Sequence, residues 1–143
     1  PDLDIGEARP GYISRASAKR VSLLLGLSTS REDEVTEALG RFATTAKDWL
    51  KPEGANAEEA EGMLGALRNG GRLHVHGMSQ IAFDDSKLYV NSSSMVLPHN
   101  EAALIEEICV DRSLARSFPN DAGQQDMVRW MLRHGAFEIP ENP

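Results

Sequence analysis

The chain has 143 residues, of which 41% are hydrophobic and 26% charged. This is the composition of a soluble globular protein of one domain or two small ones. A chain of this length buries roughly 70% of its unfolded surface and needs no covalent staple. Its 15 Lys and Arg oppose 22 Asp and Glu, a formal charge of −7. That balance argues against a general nucleic-acid or anionic-membrane binder, because both need a positive face.

Cys109 is the single cysteine, which excludes an intrachain disulfide and a cysteine-rich zinc site. A reducing cytoplasm fits this usage. No apolar run approaches a membrane span, and Leu23-Leu24-Leu25 stops at Gly26. The first residues hold no apolar signal core. Pro1 in place of an initiator Met is read as processing, or as a piece of something longer.

Residues 1–13 carry Pro1, Pro10 and two glycines without periodicity and read as a linker. Ser14 caps a predicted helix to about Leu27, with Ala18, Val21, Leu24 and Leu25 at helical spacing. Ser28-Thr29-Ser30 breaks the chain, and Ser30 with Asp33 has capping-box spacing. A second helix follows from Arg31 to about Leu50, with Val35, Ala38, Leu39, Phe42, Ala46, Trp49 and Leu50 along one face. Lys51-Pro52-Glu53-Gly54 ends it. A helical hairpin has one seam, so apolar surface remains for another partner. Two outcomes stay open: packing on the second half, or pairing with a second copy.

A third helix is expected from about Ala57 to Asn69, with Ala60, Met63, Leu64 and Leu67 apolar and Gly70-Gly71 as its stop. The period then changes to two. Arg72–His76, Gln80–Phe83 and Lys87–Val90 predict a three-strand meander, which Met95-Val96-Leu97 extends. Pro98-His99-Asn100 opens a helix to about Cys109. Ser113 or Asp121 starts the last helices, Gly135 ends the longer one, and Phe137-Glu138-Ile139 suits a terminal strand. The expected class is α+β: a helical hairpin, then a small sheet with helices behind it, in the manner of a winged helix.

His74 and His76 share one strand face and could meet one metal, but two ligands are too few. A third would have to come from Asp84, Asp85 or His99, none at a recognisable spacing. Solvent-facing histidines in an alternating strand are the simpler reading, so no metal site is assigned. Cys109 lies on an apolar helix face, without a preceding cation to stabilise a thiolate, and reads as a buried inert thiol. No phosphate loop is present, and Glu58, Glu59 and Glu61 are explained by their place in a first helical turn. No catalytic residue is assigned. A winged helix invites a DNA-binding reading, but residues 98–143 set eight carboxylates against four arginines, and the best recognition helix, near 123–134, mixes Arg129 and Arg133 with Asp126.

Arg9-Pro10, the hairpin, the glycine-bounded meander, Leu88-Tyr89-Val90-Asn91, Pro98-His99 and Gly135-Ala136-Phe137 come in an order that resembles the C-terminal region of bacterial cupin/JmjC-type ribosomal oxygenases, the ribosomal-protein arginine hydroxylase family. The resemblance covers nearly the whole chain. It implies a linker at 1–13, a helical dimerisation segment at 14–54 and a winged-helix-like domain at 55–143. It implies a cytoplasmic homodimer formed through Val21, Leu24, Val35, Leu39 and Phe42. For the full-length family it implies Fe(II) and 2-oxoglutarate, bound on a catalytic cupin by an His-x-Asp/Glu…His triad, and protein hydroxylation of a basic ribosomal protein. No triad carries over to this sequence: His74-Val75-His76 fails the pattern, and His99-Asn100-Glu101 stands at a predicted helix start, not on a barrel strand. The chain is then a non-catalytic accessory module, with no cofactor of its own. The alternative is a free-standing winged-helix DNA-binding regulator.

Overall fold

The computed structural model describes residues 9–24, 32–45, 51–98, 101–115 and 121–140. Within them lie five helices: α1 (Arg15–Leu24), α2 (Glu32–Ala43), α3 (Ala57–Arg68), α4 (Ala102–Asp111) and α5 (Ala122–Arg133). The strands are β1 (Leu73–His74), β2 (Ile81–Phe83), β3 (Lys87–Val90), β4 (Ser93–Val96) and β5 (Ser113–Leu114). The α+β class stands. The Ser28–Ser30 break, Ala46, Trp49, Leu50, His99 and Asn100 lie outside the described residues.

Local chemistry sets most boundaries. The Ser14 hydroxyl accepts from the Ser17 amide at 3.1 Å and opens α1. Asn56 and Glu59 form a reciprocal capping box at the start of α3. Asp121, one of the two starts expected, caps α5 by accepting from the Gly123 and Gln124 amides. Gly70 and Gly135, at φ of 88° and 80°, follow α3 and α5.

The meander is antiparallel in the order β2-β3-β4, with Tyr89 beside Ala82 on one side and Ser94 on the other. Alternation sends Phe83, Leu88 and Val90 into a core shared with Leu64, Leu67, Ile105, Ile108, Met127 and Met131 of α3, α4 and α5. The opposite face, with Ala82, Tyr89, Lys87 and Ser94, lies under α2, and α1 packs on α2. The layers are therefore hairpin, sheet and three-helix group.

Three expectations are corrected. The stretch at Arg72–His76 does not join the meander: β1 pairs with β5 in a separate two-stranded sheet, Leu73 opposite Leu114. Ser113 thus belongs to a strand and starts no helix. The third meander strand is β4, brought forward to Ser93 by a tight turn at Asn91 and Ser92, where both φ angles are positive (49° and 72°). The expected terminal strand at 137–139 is reduced to a single bridge between Phe137 and Val75.

Candidate functional site

The residues singled out for chemistry are dispersed. His74 is exposed, and the half-buried His76 ring accepts from the Met78 amide at Nδ1, 3.0 Å away. Of the third ligands considered, Asp84 and Asp85 are engaged elsewhere. Asp84 is buried and accepts from the Ser86 and Lys87 amides and the Tyr89 hydroxyl. Asp85 accepts from the Tyr12 hydroxyl at 2.7 Å. Among the described residues no three His, Cys, Asp or Glu side chains form a metal-sized group, and His99 lies outside them. These residues do not fit the iron triad of a cupin oxygenase. Cys109 is buried, and burial pushes its thiol up to about 11, with Glu106 adding to the rise and Arg112 opposing it. At neutral pH such a thiol is a weak nucleophile.

Arg129, one of two cations on the supposed recognition helix, is engaged. Its guanidinium pairs with Glu61 of α3 and with Asp126 one turn back. That arrangement leaves less charge for phosphates.

Of the residues assigned to a dimer contact, Val35 is buried within the chain, Leu39 is half-buried, and Phe42 is 81% exposed. The side chains of Val21 and Leu24 lie outside the described residues. The hairpin thus uses part of its apolar surface internally and presents Phe42 to solvent.

Two constellations join distant parts of the chain. Beneath α2, the Tyr89 ring lies against Gly40, where a Cβ would collide with it. The Tyr89 hydroxyl donates to Asp84 Oδ2 at 2.8 Å, and burial first, then Asp84, raises its pKa. Lys87 Nζ meets Glu37 at 2.8 Å and Arg41 donates to Ser94 at 3.1 Å, so polar pairs fix α2 on the sheet. Thr44 accepts from the Ser92 amide at 2.9 Å and ties the end of α2 to the β3–β4 turn.

The second constellation holds residues 9–14 on the rim of the sheet. The Gly11 carbonyl accepts from the Phe83 amide at 2.6 Å, and the Ile13 amide donates to the Phe83 carbonyl at 2.7 Å. Arg9 makes a two-pronged bond to Glu106 of α4, both contacts at 3.0 Å. Its guanidinium lies 4.2 Å from the centre of the Tyr12 ring. That bond holds the Glu106 carboxyl below the usual range. Sequence reasoning missed both constellations, whose key contacts join residues as far apart as 97 positions.

No protein-family model matches the chain, and no curated protein matches it by sequence. Similar solved structures exist. An X-ray structure of E. coli ycfD superposes with a TM-score of 0.59 at 16% identity, over 96% of this chain and 38% of that one. A crystal structure of the Escherichia coli ribosomal oxygenase YcfD gives 0.58 at 16% identity, over 98% and 40%. YcfD in complex with cobalt and 2-oxoglutarate gives 0.55 at 17% identity, over 96% and 39%. The chain spans about two fifths of these proteins. Along nearly all of its length it therefore has the fold of a region of a ribosomal oxygenase, as the resemblance in its sequence implies.

Proposed function

We propose that this chain is the non-catalytic, C-terminal accessory region of a cytoplasmic Fe(II)/2-oxoglutarate-dependent ribosomal-protein hydroxylase. The observation that carries the proposal is the likeness of fold over 96–98% of this chain and only 38–40% of each oxygenase. Residues 14–54 serve as the dimerisation segment and residues 55–143 as a winged-helix-like module. The iron and cosubstrate belong to a catalytic cupin domain, and no step of the hydroxylation is assigned to residues of this chain. Its net charge of −7 suits a basic ribosomal protein as the substrate of the whole enzyme.

The hairpin supplies the homodimer contact. The contact is assigned to the exposed Phe42 and the half-buried Leu39, with Val21 and Leu24 taking part as the sequence resemblance implies. Sedimentation equilibrium of the chain is expected to give twice 15.6 kDa, and Phe42→Asp is expected to give the monomer. A monomeric wild-type chain at high concentration removes the dimer from the proposal.

The wider test is the intact mass of the endogenous gene product, together with its activity on ribosomal proteins. The expected product is larger by a further domain of about 100–200 residues. It oxidises a ribosomal protein only when Fe(II) and 2-oxoglutarate are supplied. A product of 15.6 kDa, or one without such activity, overturns the reading.

A further inference from the structure

Residues 9–14 cross the free edge of β2, where the Phe83 amide and carbonyl are the backbone groups that bond them. An open strand edge invites pairing with another chain, so whatever covers it matters. The cover is held at both ends. At one, Arg9 is locked between the Glu106 carboxylate and the Tyr12 ring. At the other, the Tyr12 hydroxyl bonds to Asp85, with Arg15 Nε 3.8 Å from the same carboxylate.

Between these anchors Gly11 passes directly over Cys109. Its φ is 78°, and a Cβ there would stand 2.7 Å from the Cys109 sulfur and 3.2 Å from the Ile81 carbonyl. Only glycine suits both the backbone angle and the space. The anchors are surface interactions: the Arg9 and Glu106 side chains are 37% and 36% exposed. Such pairs are weak compared with the core beneath them.

We propose that residues 9–14 form a hinged strap, latched by Arg9 and Glu106, whose opening bares the β2 edge and the Cys109 sulfur together while the core stays folded. This conformational device does not depend on the oxygenase reading. Closed, it seals the edge and the thiol.

The single cysteine makes the strap measurable. In the folded chain at mildly alkaline pH, the Cys109 thiolate attacks the disulfide of dithionitrobenzoate, forming a mixed disulfide and releasing the coloured nitrothiolate. Glu106→Gln weakens the latch, and Gly11→Ala displaces the strap without touching it. Both are expected to speed labelling about five-fold or more, the scale of one exposed ion pair and one cation–π contact. Glu61→Gln, which breaks the Arg129 pair elsewhere on the surface, is expected to label at the wild-type rate. Circular dichroism and tryptophan fluorescence report whether each variant is folded. Because the Glu106 charge itself raises the Cys109 pKa, Arg9→Gln, which breaks the same latch and leaves that charge in place, is labelled as well, and its rate decides if Gly11→Ala does not fold. Wild-type labelling rates in the folded strap variants overturn the proposal, and so does equal acceleration in Glu61→Gln, which would mean that global opening exposes the thiol.

Discussion

Tyr89 shows how much one side chain can govern. It is fully buried in the middle strand, its ring against Gly40 and its hydroxyl on Asp84. Tyr89→Phe keeps the ring but strips a donor from a buried carboxylate oxygen, which costs about 1–3 kcal/mol. Gly40→Ala drives a methyl group into a ring that has no room to turn. Overpacking of this kind costs about 1–3 kcal/mol. Urea unfolding of the two variants measures both losses. A neutral Gly40→Ala would mean that α2 does not sit on the sheet. The glycine in the middle of a predicted helix gave no hint of this, since a helix-interior glycine reads only as weak propensity.

At the scale of elements, Asn91 is the joint of the β3–β4 hairpin. Its backbone is left-handed, its side-chain oxygen accepts from the Gln80 amide at 3.0 Å, and its amide donates to the His134 carbonyl at 2.8 Å. Asn91→Gly retains the turn and loses only the side-chain bonds. Asn91→Ala loses those bonds and adds left-handed strain of about 1–2 kcal/mol. The alanine variant is therefore expected to melt at a lower temperature than the glycine variant, and equal melting would show that the turn carries no strain. The helices were largely legible because period and caps are local: α3 follows its apolar spacing and ends before Gly70-Gly71, and α5 begins at Asp121. Strand partners were not legible. β1 and β5 are two residues each, too short for alternation to choose a neighbour, and Ser113-Leu114 carries no period at all. The strap escaped notice for a related reason. Arg9 and Tyr12 show their roles only once Glu106 and Asp85 are brought beside them.

For the whole molecule, the shifted groups set the response to acid. Burial first, and then Lys51 and Arg133, lower the His134 pKa below 6.5. Pairing with Lys87 and Arg41, with Arg129, and with Arg9 lowers Glu37, Glu61 and Glu106 below 4.5. In each case the unfolded chain takes up its proton first as pH falls, so acid favours unfolding. Stability is expected to hold above pH 7, to decline as pH falls through 6.5, and to decline further below 4.5. Chemical denaturation at stepped pH checks this, and a flat profile between pH 7 and 5 would show that His134 is not linked to folding. The position of α2 bears on where the chain can be divided. The outer side of the meander, with Ala82 and the Tyr89 ring, is roofed by α2. A piece trimmed to residues 55–143 would lose that roof and present the Tyr89 ring to water. A cut near residue 54 would therefore part the sheet from its cover, and what looks like a detachable hairpin is the lid on its neighbour's core.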